Sequence, residues 1–303
     1  MGQPMEKEKN AGGNDGSVEF LCRNPFGRCI LETMLALRVP KLLGAFLRSP
    51  LSHSYIKPFI AKNGIDMSDF SDYAEVNPAG TKRFRSFNDF FTRKKPESAL
   101  SFDAEPSHLI SPCDSLLSAC KIGSDSVFRV KGFDYALSDF FGTHDFDGKF
   151  LGGDCLIFRL CATDYHRFCY IDGGVHNAGA GANHFIPGKL YSVQPVACEN
   201  FRVYARNRRS WTVFSTDHFG DVAQIEVGAF SVGGIVNHKG KNLPERFERG
   251  EEKGYFDLHG STIVMLFEKG KIELLPEIAS AVSGGSEFRV KYGQQIGTKP
   301  TAG

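Results

Sequence analysis

The 303-residue sequence predicts an α+β fold, in which a helical N-terminal region caps a predominantly antiparallel β sandwich or barrel-like catalytic domain. Apolar residues recur at helical spacing from about residue 26 to residue 65, and short β-type runs punctuated by glycine, asparagine and aspartate turns begin near Leu109. Strands and helices do not alternate and no GxGxxG motif occurs, which disfavours a doubly wound dinucleotide-binding fold.

The N-terminal third divides into a polar tail and a helical region. Residues 1–18 are rich in glycine and asparagine and are expected to be disordered. Residues 19–105 are expected to be helical, with Pro40 separating two apolar segments. Arg28, Arg38, Lys41 and Arg48 flank this apolar material. The apolar face is predicted either to lie in a membrane interface or to pack as a helical hairpin on the protein's own core.

Residues 106–303 are expected to form the β-rich catalytic domain. The predicted strands are 155–161, 224–236, 261–267, 271–275 and 288–292. No internal repeat occurs in the sequence.

Composition excludes several classes of function. The formal net charge is +1, which gives no electrostatic argument for nucleic acid. The eight cysteines include no CxxC pair, so no metal site is predicted. Because no secretory signal is recognised, the cysteines are interpreted as reduced thiols of an intracellular protein. No apolar run is long enough to span a membrane.

Residues 258–262 read Leu-His-Gly-Ser-Thr and lead directly into an apolar run. This pattern predicts a tight turn that presents the Ser261 hydroxyl close to the Gly260 carbonyl. Such local chemistry suits a chain that cuts itself at a serine. On its own, however, the tripeptide Gly-Ser-Thr is more often a turn with a hydroxyl cap.

Three further segments carry candidate chemistry. Asp114 lies in the predicted turn Ser111-Pro-Cys-Asp-Ser115, where a carboxylate is often a simple turn residue. His166 and Cys169 lie in Asp164-Tyr-His-Arg-Phe-Cys169, directly after a predicted strand. The aromatic segment 87–93 ends in a cation and is also predicted to be a helix that packs phenylalanines inward.

Taken in order, these segments resemble the phosphatidylserine decarboxylase family of pyruvoyl-dependent, self-cleaving proenzymes. The resemblance covers residues from about 26 to near the C-terminus. The matching elements are similar to the family's FFxR (87–93), SPxDG (111–115), YHRxH (165–169), VGAxxVG (228–233) and KGxEKGxF…GST (249–262) segments. Each is weak alone, and six motifs in order, with KGxEKGxF and GST counted separately, make chance a poor explanation.

The resemblance implies cleavage between Gly260 and Ser261, giving chains 1–260 and 261–303 and a covalent pyruvoyl cofactor formed from Ser261. The ketone of that group would condense with the amine of phosphatidylserine, and decarboxylation would give phosphatidylethanolamine and CO2. Asp114 and Ser261 match two positions of the family's triad.

The sequence departs from the family pattern at the residue expected to act as the base. Cys169 stands where the family has the second histidine of YHRxH, Ser115 replaces the SPxDG glycine, and His259 precedes the Gly-Ser-Thr. His166 is the first candidate for the base, with Cys169 and His259 as local alternatives. Tyr165, His166 and Phe90 are the candidate substrate-binding residues.

The implied partners are a phospholipid, an intracellular membrane surface on which the protein is peripheral, and the second chain of a heterodimer of cleavage products. A dimer of this heterodimer is left open. Two alternatives remain at this point. One is a pyruvoyl-dependent decarboxylase of a soluble, for example aromatic, amino acid. The other is a catalytically inactive membrane-binding relative.

Overall fold

The N-terminal region of the computed structural model is built from short helices. The structure describes residues 16–70, 83–229, 234–258 and 261–300. The α-helices of this region are α1 (Gly16–Arg23), α2 (Pro25–Ala36), α3 (Val39–Arg48), α4 (Ile56–Asn63) and α5 (Phe87–Phe91). Single 3₁₀ turns lie at Pro50–Tyr55, Ser68–Phe70 and Glu97–Ala99. Residues 16–18 of the predicted disordered tail open α1, and residues 1–15 lie outside the described residues.

Local chemistry accounts for the helix boundaries. The Asn24 side chain caps α2 by accepting hydrogen bonds from the backbone N–H groups of Phe26 (2.9 Å) and Gly27 (3.2 Å). Pro40 lies in the first turn of α3, where a missing N–H costs nothing. The predicted pair of helical segments is therefore confirmed, but the break between them lies at Leu37 and Arg38, and Pro40 belongs to α3.

The rest of the described chain is rich in strands. Its strands are β1 (His108–Ile110), β2 (Ser115–Lys121), β3 (Val127–Val130), β4 (Phe133–Ala136), β5 (Asp154–Leu160), β6 (Arg167–Cys169), β7 (Gly174–His176), β8 (His184–Ile186), β9 (Arg209–Thr216), β10 (Asp221–Gly228), β11 (Gly234–Asn237), β12 (Glu245–Phe247), β13 (Glu252–Asp257), β14 (Ser261–Phe267), β15 (Glu273–Leu274), β16 (Phe288–Val290) and β17 (Gln295–Thr298). Its α-helices are α6 (Leu137–Phe141), α7 (Pro195–Asn200), α8 (Val203–Arg206) and α9 (Pro276–Ser283).

A nine-stranded sheet forms the centre of this region. Its strand order is β12-β7-β9-β10-β14-β5-β2-β16, with β8 paired to β9. Two three-stranded sheets, β1-β17-β15 and β11-β13-β6, and the β3-β4 ribbon complete the strands of the described chain. The pairs between named strands are antiparallel, which confirms the predicted α+β class, and in the described ranges the large sheet is open rather than closed into a barrel.

The large sheet is apolar on both faces. Along β14, Val264 and Leu266 pack into one core with the helices α6, α7 and α8, whereas Ile263, Met265 and Phe267 pack into a second core beneath β6 and β13. This double burial explains why β14 reads as a continuous apolar run rather than an alternating one.

A third, smaller core lies among the N-terminal helices. It consists of Leu47, Ile56, Phe87, Phe90, Phe91 and Leu258. We refer to these six residues as the helical cluster. Five come from the N-terminal helical region, and Leu258 is the residue that follows β13.

Candidate active site

Ser261 is the first residue of β14, in the middle of the large sheet. It pairs with Gly228 of β10 on one side and with Leu160 of β5 on the other. The residue is 1% exposed, and its Oγ has no hydrogen-bond partner within the described chain. A buried hydroxyl normally finds a partner, so this one is a candidate for chemistry. The predicted strand 261–267 is confirmed, and His259 and Gly260 lie outside the described residues.

His166 lies in the loop between β5 and β6 and is fully buried. Its Nδ1 lies 2.8 Å from the backbone carbonyl oxygen of Asp164. Because a carbonyl only accepts, Nδ1 of the neutral ring carries the hydrogen and Nε2 carries the lone pair. The ring also lies against Phe91, with 3.8 Å between the ring centroids. The imidazole is thus fixed in the tautomer in which Nε2 can accept a proton.

The backbone around His166 connects it to the segment before Ser261. The carbonyl oxygen of His166 accepts a hydrogen bond of 3.0 Å from the N–H of Phe256 in β13. The side chain of Arg167 also connects β6 to β13. Its guanidinium forms an ion pair of 2.7 Å with Glu252 and lies over the ring of Tyr255. Strand β13, which leads towards Ser261, is therefore attached to the loop that carries His166. We refer to this loop, residues 161–166, as the histidine loop.

Cys169 occupies the end of β6 and is fully buried. Burial raises the pKa of its thiol to about 12, and a hydrogen bond with the Tyr292 hydroxyl opposes that shift only in part. A thiol with such a pKa stays protonated near neutral pH. A cysteine needs a lowered thiol pKa to act as a base near neutral pH, and the pKa of Cys169 is raised instead.

Asp114 lies in the turn between β1 and β2, as the sequence predicts. Its Oδ1 accepts a hydrogen bond of 2.9 Å from the backbone N–H of Tyr292, and Lys291 Nζ lies 3.4 Å from Oδ2. We expected a carboxylate to orient the base. At His166 Nδ1, the acceptor is instead the carbonyl oxygen of Asp164.

A cavity of about 630 Å³ opens beside Asp114. Tyr165, Arg93 and Arg289 are among the residues that line it. Arg289 donates to the Asp164 carboxylate at 2.9 and 3.0 Å, and the Tyr165 hydroxyl accepts a hydrogen bond of 3.2 Å from the backbone N–H of Lys95. The volume lies within the range of small-molecule sites.

The segment 87–93 also contacts the histidine loop. Arg93 is 4% exposed and donates to the carbonyl oxygens of Thr163 (3.2 Å) and Asp164 (3.4 Å). Burial lowers the pKa of its guanidinium to about 10, so the group stays charged near neutral pH. The predicted helix with inward phenylalanines is confirmed as α5. Phe90 is fully buried in the helical cluster, with Arg93 4.7 Å from its ring, and its substrate contact stays a prediction.

The sequence analysis did not predict a buried ion pair between β13 and β10. Lys253 Nζ lies 2.7 Å from Glu226 Oε1 and 2.9 Å from Asn237 Oδ1, and both charged residues are fully buried. Glu226 lies on the same face of β10 as Gly228, the strand partner of Ser261. The signal available in the sequence was Gln224 and Glu226 at alternate positions of an otherwise apolar strand, a pattern that indicates buried polar groups.

The C-terminal segment 288–292 was predicted only as a strand. Arg289, Lys291 and Tyr292 of this segment contact Asp164, Asp114 and the Cys169 thiol, respectively. Their charged and aromatic side chains were visible in the sequence, but their partners lie more than a hundred residues away.

A buried serine hydroxyl at a strand start and a buried imidazole fixed in a proton-accepting tautomer are the types of group that perform nucleophilic chemistry. A family model described as phosphatidylserine decarboxylase matches residues 87–298. The chain belongs to the phosphatidylserine decarboxylase family, a family of carboxy-lyases. The sequence-based prediction of family and enzyme class is thus confirmed.

Similar proteins match over nearly their whole length. The chain is 39% identical over 300 residues to the phosphatidylserine decarboxylase proenzyme of Desulfitobacterium hafniense, covering 98% of this chain and 96% of that protein. It is 38% identical over 284 residues to phosphatidylserine decarboxylase proenzyme 2 of Clostridium acetobutylicum, covering 93% and 92%. It is 37% identical over 290 residues to the corresponding proenzyme of Clostridium beijerinckii, covering 93% and 92%.

Proposed function

We propose that this protein decarboxylates phosphatidylserine to phosphatidylethanolamine and CO2, using a pyruvoyl group that it makes from Ser261. The observation that carries the proposal is the buried Ser261 Oγ, which has no hydrogen-bond partner within the described chain. The name proenzyme, given to the relatives, supports maturation by cleavage, and their named activity supports the substrate.

Self-cleavage begins with an N-to-O acyl shift. Ser261 Oγ attacks the carbonyl carbon of Gly260, the C–N bond breaks, and the amide becomes an ester. Loss of the Ser261 α-proton then expels the carboxylate of residues 1–260 and leaves dehydroalanine at position 261. Tautomerisation and hydrolysis with one water release ammonia and leave the pyruvoyl group at the start of residues 261–303.

His166 is the proposed base. A serine hydroxyl is a weak nucleophile and needs a group that takes its proton. Nε2 is the ring nitrogen of His166 that can take this proton, because Nδ1 donates to the Asp164 carbonyl oxygen. The raised pKa of Cys169 argues against a thiolate at that position. Asp114 contributes negative charge that stabilises the imidazolium.

The same residues serve the mature enzyme. The pyruvoyl group supplies an electron sink for the carbanion left by loss of CO2. His166 holds the proton that is delivered to that carbanion, and Tyr165 lines the cavity beside Asp114 that receives the serine head group. Phe90 supports the cavity indirectly, because its ring packs against Arg93, which lines the cavity.

The two cleavage products are expected to stay together as a heterodimer. Residues 261–303 contain β14, which lies between β10 and β5, and β16, which pairs with β2. Cutting the chain before β14 and converting Ser261 removes the N–H of residue 261 but leaves the pairing of residues 262–267 and of β16 in place. Denaturing conditions are therefore required to separate the two chains.

The N-terminal helices are the proposed contact with a membrane surface. Large apolar side chains are exposed there, including Phe26 (70%), Leu42 (69%) and Leu51 (76%). Arg38 and Lys41 are also exposed in this region. An apolar surface with flanking cations fits an interface that contains anionic lipids. In the described part of the chain, no helix is long and apolar enough to cross a bilayer.

Intact mass measurement tests the cleavage. The purified protein is expected to separate into two chains under denaturing conditions, and the smaller chain should carry a pyruvoyl group instead of an N-terminal serine. Ser261→Ala should remain one chain. Active wild-type protein consisting of a single chain with unmodified Ser261 would refute the proposal.

Vesicle sedimentation tests the membrane contact. Leu42→Glu combined with Leu51→Glu should reduce binding to vesicles of phosphatidylserine and phosphatidylcholine. Phe185→Glu is the matched control, because Phe185 is 56% exposed but lies on β8, outside the N-terminal helices. Equal binding of the double variant and the control would show that the N-terminal helices do not contact the membrane.

A further inference from the structure

We propose that Leu258 is a positioning residue for self-cleavage, because its side chain anchors the upstream flank of the scissile bond in the helical cluster. The inference rests on the proposed cleavage between Gly260 and Ser261. It gives the N-terminal helical region a second role, in addition to the proposed membrane contact.

The upstream anchor is a buried leucine in a disfavoured backbone conformation. Leu258 is 1% exposed, and its side chain packs with Leu47, Ile56 and Phe91 of the helical cluster. Its φ is +56°, in the left-handed region that residues other than glycine rarely adopt. Such a conformation persists only where surrounding contacts hold it, and here the contacts come from the packed side chain.

The downstream flank is fixed independently. Ser261 is held in β14 by pairing with Gly228 and Leu160. Three residues of chain span at most about 10 Å even when fully extended. Leu258 is fixed in the helical cluster and Ser261 in the sheet, so both flanks of the proposed scissile bond are held. Fixing the two flanks of a reacting bond favours the approach of a nucleophile to its target before reaction.

The proposed base shares the same support. Phe91 belongs to the helical cluster and also lies against the His166 ring, at 3.8 Å between centroids. The upstream flank and the imidazole are thus placed by one group of side chains. A second contact between the N-terminal helices and the upstream flank is the ion pair between Arg48 of α3 and Asp257, the residue before Leu258. Both side chains are partly exposed, so this pair is expected to contribute less than the burial of Leu258.

The test measures the rate constant of self-cleavage in newly synthesised full-length chains. Leu258→Ala should cleave at least about 10-fold more slowly than wild type, since small misplacements of reacting atoms cost up to about 100-fold. Leu258→Gly should be slowed similarly, although glycine adopts a positive φ without strain. Leu258→Met retains an apolar anchor and should cleave within about threefold of wild type. Once cleaved, each variant should show wild-type kcat and KM per mature site.

Stability is controlled in two ways. Ile278→Ala removes an equally buried aliphatic side chain from the second core and should cleave at the wild-type rate. Thermal unfolding of each variant on a Ser261→Ala background reports folding without cleavage. Should Leu258→Ala fail to fold, Arg48→Ala removes a partly exposed contact, and it is expected to slow cleavage about threefold, with rescue by Arg48→Lys.

The outcomes separate this inference from the proposed function. If wild type cleaves and Leu258→Ala cleaves equally fast, Leu258 is not a positioning residue. Wild-type cleavage by Leu258→Gly would assign the effect to backbone strain, and equal slowing by Ile278→Ala would assign it to general stability; either result overturns the inference. Wild type that is active without cleavage would overturn the proposed function itself.

Discussion

The backbone N–H of Cys169 donates a hydrogen bond of 2.9 Å to the carbonyl oxygen of Pro112. This contact places the side chain at position 169 beside the turn that carries Asp114, and the Cys169 Sγ lies 3.9 Å from the carbonyl oxygen of Ser111. A residue at position 169 is therefore a close neighbour of the carboxylate turn, although the two segments are more than fifty residues apart in sequence.

The geometry gives a prediction for Cys169→His. An imidazole at this position would stand beside the Asp114 turn and restore the pattern of the family. Because assistance by a general base is typically worth about 10²–10⁴-fold, faster self-cleavage should be evident in a time course on denaturing gels. Overpacking of the buried site is expected to cost about 1–3 kcal/mol of folding stability. An unchanged cleavage rate in the folded variant would contradict the prediction.

His166→Ala is expected to block self-cleavage, because it removes the group proposed to take the Ser261 proton. Cys169→Ala is the matched control and should be processed normally, since a thiol with a pKa of about 12 is not deprotonated near neutral pH. The measurement is the fraction of cleaved chain as a function of time. The reverse pattern would assign the base to Cys169. Normal cleavage of both variants would leave His259 as the local candidate.

Asp114→Asn is expected to slow maturation by removing a negative charge that stabilises the imidazolium. The amide oxygen can still accept the hydrogen bond from the Tyr292 N–H, so the turn should keep its conformation. Rate constants of cleavage should be compared with those of Asp69→Asn, which removes a carboxylate that pairs with Lys95 and lines the same cavity. Wild-type kinetics for Asp114→Asn would remove this carboxylate from the mechanism.

His176 predicts a pH dependence of stability. Burial lowers its pKa to about 4 from 6.5, with the charge of Lys253 as the next cause. Between pH 4 and 6.5 the unfolded chain binds more protons than the folded chain. The contribution is therefore complete above pH 6.5 and is lost as the pH falls through 4, by up to about 3 kcal/mol.

The measurement is chemical denaturation of uncleaved Ser261→Ala protein at several pH values. His176→Asn removes the titrating group and should give a flatter dependence of the free energy of unfolding on pH across this range. A steep dependence in the variant, equal to that of the parent, would assign the effect to other groups.

Local patterns predicted those parts of the molecule whose structure is set by neighbouring residues. The strand 261–267 was predicted with its observed bounds because a run of apolar and β-branched residues is unambiguous when both faces are buried. The turn at Asp114 and the helix at Phe87–Phe91 were predicted for similar reasons.

The long-range contacts could not be predicted from the sequence. Arg48 and Asp257 are 209 positions apart, and Arg289 and Asp164 are 125 positions apart. No local periodicity specifies such pairs, since they depend on how the β11-β13-β6 sheet lies over the large sheet. The acceptor for His166 was also unpredictable, because a backbone carbonyl has no sequence signature.

The central position of β14 has a consequence for how the mature protein unfolds. An uncleaved chain that folds by itself has a melting temperature that does not depend on protein concentration. In the proposed cleaved form, unfolding would release two polypeptides, so recovery of the sheet would require their collision and the apparent stability would rise with concentration. In the proposed mature form, the separated fragment of residues 261–303 would also begin with a pyruvoyl group in place of the serine from which the strand was first built. Dilute mature enzyme is therefore expected to lose activity irreversibly on heating, whereas the Ser261→Ala precursor refolds.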